Sequence, residues 1–476
     1  MNPLLHPSEH DAFLQAIRSL GSRCIRMHVD HVDAALPFAV SRVPWYSEGR
    51  FLDDSNIRPA SFLNFAIGEY YIQDGASLLP LALLDIQPDD FVCDLCAAPG
   101  GKASAIAERL GPDGFLLANE SIHSRLDVLK YALARSGNPT YGVCSCDPDF
   151  LATHAPRMFD TVLVDAPCSG QTLVGKNKRD ENAFADNQIE HCVMRQRRIL
   201  LAAIRLLKTG GRLIYSTCTF AIEENESQIQ WLQEKFPSAW EPIEPPALEP
   251  WKSTHQPGCY RLWPHRDRCA GGFAAGLRLV KELDFEPAAA ESLQQDTSKA
   301  SRNKKMHHAS SSRKENQKAE EARQAKGNQI LMELGRFKEL EIEWRSGYAH
   351  GLTRGVSNAI QSLSKLSVQP PTVLIETGHH FVPTQALAML NGHFFTANQR
   401  VELSHGQSIE FMNGSSIAKS SDQGDHPAGW SIASWHHRSL GWLKSAGNRW
   451  NNHLPAWARM MVTQSFDSKS QLGKSL

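Results

Sequence analysis

One short stretch, residues 92–102 (VCDLCAAPGGK), constrains the chain more than any other. An apolar run over 91–95 meets the turn Pro99-Gly100-Gly101, and a helical pattern follows over 102–110. Strand, glycine turn and helix together cradle nucleotide-like ligands. The glycines let the backbone come close, and the start of the helix offers unpaired N–H groups. Two familiar versions are missing. There is no G-x-G-x-x-G here, which disfavours a nicotinamide or flavin enzyme. Lys102 is followed by Ala103, so the turn is not a Walker-type phosphate loop.

A lone glycine turn usually does no more than join a strand to a helix. Three later stretches change the balance. The run 115–118 leads to Glu120, about 20 residues past the turn, where an acidic residue commonly holds a ribose hydroxyl. The run 161–164 ends in Asp165-Ala166-Pro167-Cys168, and 211–215 ends in Ser216-Thr217-Cys218. Ligands of open parallel sheets sit beyond the carboxyl ends of the strands, so these polar residues are expected to converge on one crevice. Strands alternate with helical stretches over 85–218, the pattern of a doubly wound α/β sheet. Within it, 189–207 repeats apolar residues at helical spacing. Its Arg195, Gln196, Arg197 and Arg198 are expected to form a solvated face, and Gly210-Gly211 to end the helix.

AAPGGK at 97–102, DAPCSG at 165–170 and YSTCT at 215–219, in this order, resemble the RNA (cytosine-5) methyltransferases of the RsmB/RsmF/Sun family. The similarity runs over 68–279. A tail, LGWLKSAGNRWNNHLPAWAR within 430–459, resembles the C-terminal PUA-like module of the RsmF-type ribosomal RNA enzymes. The resemblance implies a Rossmann-like methyltransferase sheet that binds S-adenosyl-L-methionine. The expected cofactor residues are Cys96, Ala97, Ala98, Pro99, Gly100, Gly101, Lys102, Glu120, Asp147 and Asp165. Asp147 would face the adenine end, with a turn-former in Asp147-Pro148-Asp149 as the lesser alternative. The resemblance assigns the attacking thiol to Cys218 and assistance in product release to Cys168. The residues alone do not rank the two, because DNA cytosine methyltransferases attack from a Pro-Cys cysteine. An arginine of the family's N-terminal region corresponds to Arg26, in a stretch that matches poorly.

The chemistry needs these residue types. Carbon 5 of cytosine is a poor nucleophile until a thiolate adds at carbon 6, after which it can take a methyl group and lose its proton. A free thiol is mostly protonated at neutral pH, so something must lower its pKa; Lys102 is the candidate. The target base must leave its stack, which favours a flipped or single-stranded cytosine. Small-subunit ribosomal RNA is the leading substrate and transfer RNA the alternative. A non-catalytic ribosome-assembly protein would not need the intact cysteine pair. Amino-group methylation would place D/N-P-P-Y/F where this chain has DAPC.

Composition sets the remaining bounds. Fifty Lys and Arg against 51 Asp and Glu give a formal net charge of −1, so an RNA partner requires local basic patches. Ten irregularly spaced cysteines fit reduced thiols in a cytoplasm. Cys93 and Cys96 form C-x-x-C, but no second pair accompanies them, so no metal is expected. No membrane span or signal peptide is read, and a monomer is expected. The expected organisation is an RNA-facing region at 1–67, the methyltransferase domain at 68–281, a disordered or loosely helical basic and polar linker at 282–328, and a PUA-like region at 329–476. A helix is expected within 68–84 near the substrate residues Tyr71, Gln73, Asp74 and Ser77. Another is expected over 330–366, and small β-rich pieces over 372–413. Glu223, Glu224 and Glu226 suit a helix dipole. RNA phosphates could be gripped by Lys304, Lys305, Arg313 and Lys314 in the linker. In the tail, Lys444 and Arg449 would grip RNA beside Trp442 and Trp450, unless these tryptophans fill a small core.

Overall fold

The structure is a computed structural model, and it describes residues 4–18, 23–176, 181–285, 311–378, 380–419 and 428–460. After helix α1 (His10–Ile17), four strands form an antiparallel sheet in the order β2-β3-β1-β4: β1 (Cys24–Met27), β2 (Val40–Arg42), β3 (Gly49–Leu52) and β4 (Tyr70–Ile72). A short helix, α2 (Leu63–Ala66), precedes β4. Arg26 on β1 points inward, is 1% exposed, and pairs with Glu108 and Ser104. A buried guanidinium needs such a partner, and this one faces the protein core rather than RNA.

The central sheet explains the apolar runs of the sequence. Strands β5 (Phe91–Asp94), β6 (Phe115–Asn119), β7 (Tyr141–Cys144), β8 (Phe159–Asp165) and β9 (Leu207–Thr217) run parallel in the order β9-β8-β5-β6-β7. Strands buried on both faces read as continuous hydrophobic segments, and β6 and β7 are buried at every position. The antiparallel strands β10 (Trp240–Pro242), β11 (Cys259–Leu262) and β12 (Gly272–Leu279) extend the sheet beyond β9. The strand order reverses between β5 and β8, the switch point at which doubly wound sheets open a crevice. Helices α3 (Gly101–Ala107), α4 (Leu126–Arg135), α5 (Pro148–His154), α6 (Asp186–Leu206) and α7 (Glu226–Lys235) complete this layer. Two clusters of buried residues fill its faces.

Several expectations are corrected. Residues 68–84 form β4 and two 3-10 turns, Gly75–Leu78 and Pro80–Leu83, instead of one helix. Pro80 supplies no N–H and favours the break. Helix α6 ends at Leu206, and Gly210-Gly211 lie inside β9, where the pairing with β8 shifts register. Gln196 is fully buried, so only part of the 195–198 run is solvated. Residues 330–366 are mixed: α8 (Ser311–Leu334), β13 (Gly335–Phe337), β14 (Glu341–Arg345), β15 (Tyr348–Leu352) and α9 (Arg354–Ser362). Lys304 and Lys305 lie outside the described residues, as do the side chains of Arg313 and Lys314.

The stretch 372–413 does break into small pieces: β16 (Thr372–Thr377), β17 (His380–Pro383), α10 (Gln385–Met389), β18 (Phe395–Ala397), β19 (Arg400–Glu402) and α11 (His405–Met412). With β20 (Ile417–Ala418), β21 (Trp430–Trp435), β22 (Arg438–Ala446) and β23 (Arg449–Asn452), the last strands form a five-stranded sheet, β19-β21-β22-β23-β20. Trp442 and Trp450 are 1% and 0% exposed in its two cores, so neither meets RNA. Lys444 and Arg449 are exposed. Among the described residues, no helix is long and apolar enough to cross a membrane.

Candidate active site

Three strand ends build the crevice. β5 delivers Asp94 and then the turn 95–101; β8 delivers Asp165 and the loop to Cys168; β9 delivers Ser216, Thr217 and Cys218. Gly100 begins α3 with φ +106°, and a Cβ there would lie 2.5 Å from Cβ of Ala132 on α4. The turn therefore needs glycine both for its backbone and for its packing. The Ala98–Pro99 peptide is cis. A cavity of about 330 Å³ opens above this turn, and Cys96, Ala97, Ala98, Pro99, Gly101 and Lys102 line one wall. Asp165, Ser216 and Cys218 line another, facing Tyr71, Gln73, Asp74 and Ser77.

The expected site residues do not all meet there. Gly100, Glu120 and Asp147 are outside the lining. Glu120 is 3% exposed and accepts from Ile122 N (2.9 Å) and from Arg125 Nη1 (2.9 Å). Arg125 also donates to Ala98 O (2.6 Å), which ties Glu120 to the glycine turn. Asp147 caps α5 by accepting from Asp149 N (3.0 Å) and pairs with Arg198. Cys168 lies behind the cavity wall, 6% exposed, with its Sγ 3.2 Å from Cys218 Sγ. Cys93 and Cys96 are free thiols, as are the other eight cysteines.

The charges are arranged around Cys218. Lys102 Nζ donates to Asp165 Oδ2 (2.7 Å), and Ser216 Oγ donates to Asp165 Oδ1 (2.7 Å). Burial alone would lower the Lys102 pKa, but Asp165 and Asp94 outweigh it, and the ammonium is held charged. The hydrogen bond with Cys168 lowers the Cys218 thiol below its ordinary value, against burial and Asp165; the Lys102 charge acts in the same direction. The same hydrogen bond, with burial, raises Cys168. Of the two sulfurs, Cys218 is the one that lines the cavity and feels the Lys102 charge, which favours thiolate, the reactive form.

Sequence reasoning missed the residues that hold these loops. Thr172 N donates to Cys218 O (3.2 Å), and Phe220 N donates to Gln171 Oε1 (2.9 Å). Of the acidic run, Glu226 stands in the first turn of α7, where the helix dipole favours it. Glu224 precedes α7, is fully buried and accepts from Ser169 N (2.9 Å) and Gln196 Nε2 (2.8 Å). Glu226 pairs with Arg261 inside the core.

A bound methyl donor of the expected kind fits this donor set. Among the described residues, the buried Gln73 Oε1 has no hydrogen-bond partner at the cavity wall. An acceptor left in that state favours a ligand that brings an N–H group. At Gly101 the backbone of the turn itself forms cavity wall, where a Cβ would lie 3.0 Å from Gln73 Oε1 and from Tyr71 Cε1.

Comparison with known proteins agrees with this geometry. Residues 81–278 match the family model described as 16S rRNA methyltransferase RsmB/F, and 398–460 match the methyltransferase RsmF PUA domain. "Ribosomal RNA small subunit methyltransferase F" of Escherichia coli (strain SMS-3-5 / SECEC) is 33% identical over 293 residues, which is 58% of this chain and 61% of that protein. The protein of the same name from Escherichia fergusonii is 33% identical over the same shares. The match thus spans less than two thirds of these relatives. The solved structure of PH0851 superposes with a TM-score of 0.51 at 27% identity, covering 58% of this chain and 63% of that one. NSun6 from Pyrococcus horikoshii, solved with SFG, has the same fold, with a TM-score of 0.52 at 20% identity over 59% of this chain and 97% of its own. Residues 81–278 are thus an RsmB/F-type methyltransferase domain, and residues 398–460 an RsmF-type PUA domain.

Proposed function

We propose that this protein methylates carbon 5 of a cytidine in small-subunit ribosomal RNA, with S-adenosylmethionine as donor and Cys218 as the attacking thiol. The observation that carries the reading is the thiol pair. Two sulfurs 3.2 Å apart, Cys218 lining the crevice and Cys168 beneath it, sit beside Lys102 and Asp165. The donor would be held by the glycine turn 96–102, by Glu120 and by Gln73; bound there, it supplies an electrophilic methyl group. Support for that donor comes from NSun6, whose bound SFG is an analogue of it.

The chain's own residues do the rest. Cys218 Sγ bonds to carbon 6, which breaks the ring conjugation and makes carbon 5 nucleophilic. Asp165 accepts from the exocyclic amino group and so favours cytosine over uracil, whose matching atom is an acceptor. Once carbon 5 is methylated, a general base takes its proton, the C–H electron pair re-forms the carbon 5–carbon 6 double bond, and the Cys218–carbon 6 bond breaks with its pair returning to sulfur as thiolate. The nearness of Cys168 supports its assignment to this release step. The N-terminal sheet and the PUA domain would position the RNA, and the reaction would take place in the cytoplasm.

A covalent trap tests the scheme. Cys168→Ala is expected to accumulate a protein–RNA adduct on denaturing gels, and Cys218→Ala to form none. An adduct confined to the Cys218 variant would reverse the assignment. Bisulfite sequencing of RNA from a strain lacking the protein would name the position; loss of no mark in ribosomal RNA would remove the substrate.

A further inference from the structure

Glu224 is the one carboxylate wedged between the two cysteine loops. It is 0% exposed and lies outside α7, so the helix does not account for it. Its oxygens accept from both the backbone N and the Oγ of Ser169, and from Gln196 Nε2. Ser169 Oγ in turn meets Thr219 Oγ1 at 2.8 Å. Ser169 follows Cys168, and Thr219 follows Cys218. The carboxylate therefore ties the residue after one thiol to the residue after the other, and the side chain of Gln196 on α6 completes the brace. Gln196 also donates to Pro167 O (3.2 Å), on the other side of Cys168.

We infer that Glu224 is a positioning residue: it sets the Cys168–Cys218 sulfur separation and so keeps Cys218 in its reactive form. The inference rests on the reading of Cys218 as the attacking thiol. Its logic is geometric. The sulfur–sulfur hydrogen bond at 3.2 Å works only while both loops keep their places, and hydrogen bonds weaken steeply as they lengthen. A buried carboxylate with three donors is hard to move without leaving those donors unpaired.

Besides the Cys168 hydrogen bond and burial, the charges that act on the Cys218 sulfur are Asp165 and Glu224, which raise it, and Lys102, which lowers it. This gives the brace a signature of its own. As a mere negative charge, Glu224 raises the Cys218 thiol, so its removal would lower the pKa. As a brace it acts in the opposite sense, and its removal loosens the bond that lowers the pKa. The two accounts predict shifts of opposite sign.

The test is the rate of iodoacetamide alkylation at residue 218 against pH, read by peptide mass spectrometry on the full-length protein. Glu224→Gln is expected to move the midpoint upward, on the order of one pH unit. Ser169→Ala, which removes the Oγ bond to Glu224 together with the Thr219 link but keeps the backbone bond, and Thr219→Val, which removes the far link and the local bond from Ala221 N, are expected to move it the same way by less. Binding of S-adenosylmethionine, measured by calorimetry, should stay within twofold in all three and reports that the crevice is folded. A downward or absent shift in Glu224→Gln, or no shift in the two milder variants, overturns the brace. The alkylation readout needs no RNA, so the absence of an adduct in Cys168→Ala would count against the reaction and not against this inference.

Discussion

At the end of β5, Asp94 is a carboxyl that solvent does not reach, being 1% exposed. Burial pushes its pKa up from 3.8 to about 7; Asp165 and Glu120 add to the rise, and Lys102 opposes it. The folded chain therefore keeps a proton that the unfolded chain gives up. That contribution to stability is complete below about 3.8, drains away as pH climbs towards 7, and is gone above it. Asp94→Asn cannot titrate. Its stability relative to the parent should improve by roughly 1.4 kcal/mol per pH unit between pH 5 and 7, then level off. Denaturant melts at pH 5, 6, 7 and 8 would show this; a constant gap would mean that Asp94 is charged throughout. Lys102 is the next residue in this chain of charges. Replacing it with Met removes a charge that favours the Cys218 thiolate, so the alkylation midpoint at 218 should rise, and an unchanged midpoint would clear Lys102 of that role. Both thiols, Lys102 and Asp165 could be picked out in the sequence because each follows an apolar strand. Glu224 and Gln196 were misread because burial there comes from loops meeting across α6 and β9, which no local pattern records.

Among the elements, the parallel strands were the legible part. A strand covered on both faces has no polar positions, and the apolar runs at 91–95, 115–118 and 161–164 fall on β5, β6 and β8. The segment 75–83 was not legible. Its Leu78, Leu79, Leu81 and Leu83 are all buried, a density that suits a helix, yet the chain turns at Pro80 and packs as two 3-10 pieces. The glycine turn is where an element depends on a single residue. Gly100→Ala faces both a left-handed backbone and a Cβ 2.5 Å from Ala132, and should cost roughly 2–5 kcal/mol. Gly210 has φ +86° but nothing within 4 Å of its Cβ position. Gly210→Ala should therefore cost only the backbone share, about 1–2 kcal/mol. Urea melts of the pair separate packing from conformation, and equal losses would show that contact with α4 contributes nothing.

At the scale of the molecule, the methyltransferase domain does not close on itself near residue 281. The backbone of Gln369 pairs with the edge strand β7 through two bonds with Val143, at 2.8 and 2.9 Å. Val356, Ala359, Leu363, Leu366 and Val368 then enter the same core cluster as β5, β6 and β8. The fit is close: Gly142 leaves the room that Val368 Cγ1 occupies, at 2.4 Å from a would-be Cβ, and Gly355 sits 2.2 Å, by the same measure, from Gly114 O. The four larger side chains are worth roughly 6–12 kcal/mol when buried, an upper figure because unfolded chains are not fully extended. That is about the whole net stability of an ordinary domain. The ion pair Arg354–Asp113 at the surface adds little, since both partners are more than half exposed. A chain cut after residue 285 should therefore aggregate or melt far below the full-length protein, although it keeps every residue of the crevice. Gly355→Val in the full chain should reproduce part of that loss without removing any residue. Calorimetric melts of the two, beside a chain ending at 378 that retains the docked segment, decide the matter. A fragment 1–285 as stable as the full chain would show that the 353–369 segment only rests on the sheet.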